Sequence, residues 1–245
     1  MDKQNQDETQ CKYVSSRGIL KSCTIHSQAP MSSIRHLTGY DFSTMVSGDT
    51  LYICNSAIPF FITHVFPNCP FPFVLVSGDC DESCPSELFP SSKQFLEFIE
   101  DPRVLRWYSQ NCIGKHPKLF QIPIGLDYHT MQQGPHAWGA QTTALVQEQI
   151  LSMIIDKSLP FYNRKPMAYS NYHFAMRTKF AYDRRDAYNQ IPESCVFYET
   201  NPVLRMRSWK TQSEYAFVIS PHGNGYDCHR TWEALCLGCI PIVKT

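Results

Sequence analysis

Short apolar runs recur along the chain, separated by polar and proline-bearing connectors, and that rhythm predicts strands alternating with helices. Leu51–Cys54 and Phe73–Val76 read as strands, the second running out into Ser77 and Gly78. Ser91 and Ser92 then offer caps to a short helix whose Phe95, Leu96, Phe98 and Ile99 form one apolar face, stopped before Pro102. Strands follow near Val104–Tyr108 and Leu119–Ile124, the latter leading into Gly125, Leu126, Asp127, Tyr128 and His129. A Gln- and Gly-bearing loop, Met131–Ala140, precedes a predicted helix from Thr142 to about Ile155, with Leu145, Ile150, Leu151 and Ile154 as its inward positions.

Pro160, Asn163 and Pro166 punctuate the chain, and the stretch near 156–166 reads as a boundary between lobes. Beyond it the alternation restarts. Met167–Ser170 is a strand, Thr178–Asn189 a helix, Cys195–Tyr198 a strand, and a short helix surrounds Trp209. A strand at Tyr215–Ile219, a glycine-bearing loop, a helix from about Asp227 to Leu237 and a strand at Ile240–Val243 complete the series. The expected fold class is therefore α/β with two Rossmann-like lobes. One lobe covers residues 1–160, with its first thirty residues poorly ordered. The other covers 161–245 and reads as incomplete, being shorter than the ~100–150 residues typical of a domain.

Composition narrows the functional classes. Twenty-two basic residues balance 22 acidic ones, so no global field exists to hold nucleic acid or an anionic membrane, and an anionic ligand needs a focused site. The opening MDKQNQDETQ lacks the apolar stretch of a secretory signal. The most apolar run, Ala57–Phe66, is interrupted by Pro59, Thr63 and His64 and falls short of the ~20 residues that span a bilayer. A cytoplasmic location is expected. Eleven cysteines, an odd number without an export signal, point to reduced and mostly buried thiols. Cys80 with Cys84, and Cys236 with Cys239, lack a second pair at finger spacing and read as core residues, so no metal site is expected.

Most of the chemistry lies in residues 216–245, AFVISPHGNGYDCHRTWEALCLGCIPIVKT, which reads as a complete strand–helix–strand unit. Ser220, Pro221, His222, Gly223, Asn224 and Gly225 form a loop that lets backbone approach a ligand, and the free N–H groups of the next helix point to the same place. His229 and Arg230 occupy that helix's first turn, where cations oppose the macrodipole unless something negative compensates. Arg230 and Glu233, three apart, project from nearly one face, while Trp232, Leu235 and Cys236 are expected to pack on the sheet. A guanidinium fork suits a diphosphate and a carboxylate suits paired sugar hydroxyls, although a plain i,i+3 surface ion pair satisfies the same spacing.

The wording SPHGNGYDCHRTWEALCLGCIPIV resembles the donor-site unit of glycosyltransferases with the two-lobed GT-B fold, above all exostosin-like enzymes and related proteins encoded by large DNA viruses. The matching pattern is an Arg, then Glu-Ala, then Gly-Cys-Ile-Pro: here Arg230, Glu233 with Ala234, and Gly238 to Pro241. HPKLFQIPIGLDYHTM (116–131) and MAYSNYHF (167–174) extend the likeness more weakly. The resemblance implies an enzyme that moves a sugar from a nucleotide-sugar donor to a hydroxyl of a glycan or other acceptor, with inversion and without a metal or other cofactor. On that reading His222, Gly223, Asn224 and Gly225, after Ser220, approach the sugar and phosphates. Arg230 binds diphosphate, Glu233 binds hydroxyls, and Ser170, Asn171 and Arg177 line the same cleft.

An inverting transferase needs a base near the acceptor hydroxyl. Asp127 and His129 follow the strand ending at Ile124, and Asp79 follows the strand ending at Val76, so these three are the candidates, with turn capping as the competing role for either aspartate. Asp79, Cys80 and Asp81 also form a DxD, the triplet with which metal-dependent GT-A glycosyltransferases hold a divalent cation. A sugar-nucleotide-binding module without activity is a third reading. A Rossmann oxidoreductase is disfavoured because His222-Gly-Asn-Gly lacks the GxGxxG spacing.

Overall fold

The computed structural model describes residues 7–244. It divides into two compact units, one of residues 16–124 and one that joins residues 7–15 to 125–244. Each is built on its own parallel sheet of four strands, an α/β architecture.

In the first unit, α1 (Ser16–Lys21) and α2 (Ser33–Gly39) precede β1 (Thr50–Cys54). A short α3 (Ile58–Phe60) passes directly into a π turn (Phe61–Val65) before β2 (Phe73–Gly78). Then come α4 (Ser92–Ile99), β3 (Val104–Ser109) and β4 (Leu119–Gln121), and the strands lie side by side in chain order. A parallel strand covered on both faces is apolar throughout rather than alternating, and Leu51, Tyr52, Ile53 and Cys54 are all buried. The core is aromatic, with Phe61, Phe66, Phe73, Phe98 and Trp107 packed largely edge to face. The Trp107 indole meets its polar need inside that core by donating to Ser77 Oγ at 2.9 Å. Ser91 caps α4 by accepting from Gln94 N at 3.3 Å. Phe95, Phe98 and Ile99 face inward, whereas Leu96 points to solvent.

The expectation of a poorly ordered start is corrected for residues 7–30; Met1–Gln6 and Thr245 lie outside the described residues. Leu20 of α1 is buried beside Tyr52 and Val76, and Ile25 lies against the edge of β1, exchanging backbone hydrogen bonds with Thr50 and Tyr52 at 2.9 Å each. The apolar anchors there are single residues rather than a run, so no periodicity announces them.

The second unit contains α5 (His129–Gln133), α6 (Ala144–Lys157), β5 (Lys165–Ser170), α7 (Ala181–Gln190), β6 (Val196–Tyr198), α8 (Arg205–Gln212), β7 (Tyr215–Ile219), α9 (His229–Cys236) and β8 (Ile240–Ile242). The sheet order is β6–β5–β7–β8. The chain runs outward from β5 to β6 and then returns across β5 to build β7 and β8, so the topology reverses between β5 and β7. In an open parallel sheet that reversal leaves a crevice at the strands' carboxyl ends.

The expected boundary near 160 is also corrected, because α6 belongs to the second unit. Leu151 joins the core of Tyr169, Trp209 and Val218, with Ile154 and Ile155 packed against it, while Leu145 and Ile150 are only partly buried. The rest of the inward face of α6 is polar. Glu148 accepts from Lys12 N (2.6 Å), Tyr13 N (3.0 Å) and the Tyr128 hydroxyl (3.0 Å), and Gln147 Nε2 donates to Tyr128 O at 2.8 Å. Residues 7–15 are thereby tied to this unit. Leu126 N also donates to Val14 O at 2.8 Å. Gly125 sits at φ +70°, and a Cβ there would lie 2.4 Å from Val14 O, so this position requires glycine on two counts.

Among the described residues no helix is long and apolar enough to cross a membrane.

Candidate functional site

The reversal between β5 and β7 brings together the residues of greatest chemical interest. β5 ends at Ser170 and β7 at Ile219, after which the chain runs through residues 220–228 into α9. Two arginines converge beside that loop. Arg184 of α7 is buried and donates from Nε to His222 O at 2.8 Å and from Nη1 to Ala175 O at 2.6 Å. Arg230 of α9 donates from Nη1 to Pro221 O at 3.3 Å and lies 5.9 Å from the Tyr172 ring centroid. These hydrogen bonds end on carbonyl oxygens, which accept without neutralising the cation. Burial first, and the charge of Arg230 second, pull the Arg184 guanidinium down to about 10. The site therefore brings together two like charges, one of them desolvated, which the nearby Asp183 carboxylate offsets only in part. An anion relieves that arrangement.

The start of α9 adds to the positive potential. Its N-cap, Cys228, makes no side-chain cap hydrogen bond. Part of the compensation expected for His229 and Arg230 comes from within the chain, because Asp227 Oδ1 accepts from Cys228 N at 2.8 Å and its carboxylate takes the Trp232 indole N–H at 2.8 Å. Trp232 and Cys236 pack against the core beside the buried Ala234, as expected, whereas Leu235 is exposed, which corrects its expected inward placement.

The predicted donor residues fall into two groups. His222, Gly223, Asn224 and Gly225 do form the loop over the carboxyl end of β7. His222 is fixed by Asp183, whose Oδ2 accepts from His222 N at 2.9 Å, and its ring stacks on Tyr226 at 4.4 Å between centroids. Its Nδ1 lies 3.0 Å from the same carboxylate oxygen but out of hydrogen-bonding alignment. Asn224 is exposed, with Oδ1 accepting from Lys179 N at 3.4 Å. A Cβ on Gly223 would meet only ordinary contacts, 3.5 Å to Arg184 Nη2 and to Cys228 Cβ, so the protein's own packing does not require glycine there. Ser220, Ser170 and Asn171 are engaged internally: Ser220 Oγ with Thr231 Oγ1 at 2.9 Å, Ser170 Oγ with His173 Nδ1 at 3.4 Å, and Asn171 Nδ2 to Ser208 Oγ at 3.2 Å. Arg177 is exposed, and the arginine buried beside the loop is Arg184.

Neither a protein-family model nor a curated protein matches this chain.

A second cluster lies in the same unit. Asp127, nearly fully buried, accepts from Thr130 N (2.9 Å) and Thr130 Oγ1 (2.8 Å), capping the first turn of α5. Its carboxylate lies 3.2 Å from His129 Nδ1 and 3.3 Å from Arg205 Nη2, and its backbone oxygen accepts from Arg205 Nη1. His229 Nδ1 lies 2.7 Å from Gly125 O, and the His129 and His229 rings are 6.1 Å apart. Arg205 Nε also stands 3.8 Å from Glu233 Oε1. Glu233 is thus paired with Arg205, not with Arg230 as the i,i+3 spacing suggests.

Burial works to raise the Asp127 pKa, but the charges of His129, His229 and Arg205 and the Thr130 N–H outweigh it and hold this carboxyl well below the usual carboxylate range. A group so strongly stabilised in its ionised form is a poor proton acceptor near neutrality. Asp127 is thus placed to hold the His129 ring, whose Nδ1 faces its carboxylate, rather than to take up a proton itself. Because its folded pKa lies below the unfolded ~3.9, Asp127 contributes stability that is fully present above that value and is lost as pH falls through the folded pKa. The urea-midpoint gap between wild type and Asp127→Asn is accordingly expected to close as pH is lowered from 6 toward 2; a gap independent of pH would contradict this.

Asp79 lies in the other unit and has a structural role. The Tyr52 hydroxyl donates to its Oδ2 at 2.8 Å, Arg17 Nε lies 3.7 Å from Oδ1, and its N–H donates to Gln110 Oε1 at 2.8 Å. Asp81 is exposed. Among the described residues no group of three or more His, Cys, Asp or Glu side chains is arranged to hold a metal ion. Arg184 and Arg205 are the residues that sequence reasoning missed. The local signal was faint: an aromatic residue at i+4, Tyr188 after Arg184 and Trp209 after Arg205, on a helix otherwise rich in charge.

Proposed function

We propose that the protein is a glycosyltransferase of GT-B type that takes a nucleotide-sugar donor at the carboxyl edge of its second sheet. The observation that carries this reading is the convergence of Arg184 and Arg230 on the carbonyls of His222 and Pro221, beside the start of α9 and at the topological reversal. Planar guanidinium forks suit the oxygens of a diphosphate, and they stabilise it as a leaving group by the same contacts. Charge supplied in this way makes metal-independent transfer the favoured form. Glu233, partly exposed beyond its pairing with Arg205, is the hydroxyl acceptor. His129, oriented by Asp127, takes the proton from the acceptor hydroxyl, which then displaces the diphosphate from the sugar's anomeric carbon with inversion. The metal-dependent alternative draws no support, since both oxygens of Asp79 face Tyr52 and Arg17.

The test is a panel of UDP, GDP and their sugars, read by calorimetry and by release of the free nucleotide in the presence of sugar acceptors. Gly223→Ala sharpens it, because the fold tolerates a methyl at this position. The expected result is micromolar to millimolar donor binding, weakened about tenfold or more by Gly223→Ala (~1.4 kcal/mol) without a change in melting temperature. No binding of any nucleotide diphosphate would end the proposal, and binding without turnover would reduce it to a binding module.

A further inference from the structure

The first unit contains a second chemical feature that owes nothing to sugar transfer. Cys54 is the last residue of β1, and its β2 partner in register is Gly78. The next residue, Asp79, takes φ +59°, a left-handed turn that brings Cys80 back over the end of β1. The two sulfurs lie 3.1 Å apart, close to van der Waals contact or nearer, and Ser56 Oγ is 3.4 Å from each. Cys54 is buried and Cys80 is half-buried.

We infer that Cys54 and Cys80 form an oxidisable dithiol, a modification site at which a hydroperoxide converts the pair to a disulfide. The two sulfurs divide the work by access. Cys80 is reachable from solvent and is the attacking thiol, while Cys54, held behind it, resolves the product. The hydrogen bond donated by Cys54, and then Ser56, lower the Cys80 thiol to about 7 against the opposing effect of burial, so thiolate is well populated at neutral pH. The Cys80 thiolate attacks one oxygen of hydrogen peroxide. The S–O bond forms, the O–O bond breaks, and the departing hydroxide takes a proton to become water. The Cys54 sulfur, losing its proton, then attacks the sulfenic sulfur. The S–S bond forms, the S–O bond breaks, and the sulfenic oxygen leaves as the second water. Two thiols lose two electrons and two protons, and one peroxide is reduced to two waters. The disulfide would tie the loop that carries Asp79, Cys80 and Asp81 to the end of β1.

The neighbouring cysteines provide contrasts. Cys84 and Cys112 are also backbone partners, but both are buried, so peroxide reaches them more slowly. Cys195 is exposed, with its Sγ 4.0 Å from the Ser194 hydroxyl, and serves as the reference for a thiol that alkylates readily.

The experiment treats the full chain with equimolar hydrogen peroxide, quenches with iodoacetamide and maps the peptides by mass spectrometry. The expected product is a Cys54–Cys80 linkage, two hydrogens lighter, that dithiothreitol reverses, with Cys80 protected from alkylation at least ~10-fold faster than Cys195. Cys54→Ser is expected to stop at a sulfenic acid on Cys80 that dimedone traps, and Cys80→Ser to abolish the linkage. Preferential linkage of Cys80 to Cys84, linkage of Cys84 to Cys112 first, or a Cys80 no faster than Cys195 would each overturn the inference. The wild-type map alone decides it if a variant does not fold.

Discussion

Replacing Arg205 with alanine is expected to cost about 3–5 kcal/mol of stability, the range seen when one member of a buried ion cluster is removed. The size follows from what the guanidinium holds. It lies 3.3 Å from Asp127 Oδ2, donates to the Asp127 carbonyl, donates to Gln147 Oε1 at 3.2 Å and stands 3.8 Å from Glu233. It also stacks 4.4 Å from the Trp138 ring centroid and 5.8 Å from that of Trp209, while its backbone N–H donates to Trp138 O at 2.9 Å. Truncation therefore leaves two carboxylates with a common cation removed, in a region where Asp127 is nearly inaccessible. Arg205→Lys restores charge without the planar fork and is expected to recover less than half of the loss. Equilibrium urea unfolding checks both; a loss below about 1 kcal/mol for the alanine variant, the range of a surface pair, would show that the cluster contributes little.

Arg230→Ala is expected to behave in the opposite way, with donor turnover falling ~100-fold or more and stability barely changed. Its guanidinium makes one long hydrogen bond to Pro221 O and a 3.6 Å contact with Cys228 Sγ, weak ties whose loss the fold absorbs. The charge contribution to Arg184 disappears with it, so the Arg184 pKa returns upward, a secondary signature for titration. The readouts are nucleotide release with the best donor from the panel and a thermal scan. Unchanged nucleotide affinity would remove Arg230 from the site, and a collapse of the melting temperature would reassign it to the fold.

Strands were the most legible elements because parallel strands buried on both faces carry the simplest signal, unbroken apolar runs such as Leu51–Cys54 and Tyr215–Ile219. Helix α4 was equally plain, with its serine cap and paired phenylalanines. The helical connection after β1 was not, since Ile58–Val65 is apolar nearly all round and carries a proline, which erases any single face. The boundary at 160 misled for a related reason. The buried side of α6 includes Gln147 and Glu148, and polar side chains that earn their burial through hydrogen bonds to distant backbone look solvent-facing in a sequence. The candidate site shows the same asymmetry. The loop 220–225 and Arg230 could be found from local spacing. Arg184 and Arg205 could not, because an arginine's burial depends on carbonyls and carboxylates supplied from far along the chain: His222 for one, Asp127 for the other. The pairing of Glu233 with Arg205 rather than Arg230 is the clearest instance of tertiary contact overriding the i,i+3 rule.

The joining of residues 7–15 to 125–244 carries a consequence for the order of events during synthesis. Residues 16–124 form a continuous segment that carries all four strands of its own sheet, so this unit can complete its sheet as soon as β4 has emerged. The other unit begins earlier and finishes later. The Lys12 and Tyr13 amides must wait for Glu148, more than a hundred residues downstream, to leave the ribosome. Closing so long a loop is entropically slow. Residues 16–124 are therefore expected to fold first, with Lys12 and Tyr13, although translated before that segment, fixed only after it.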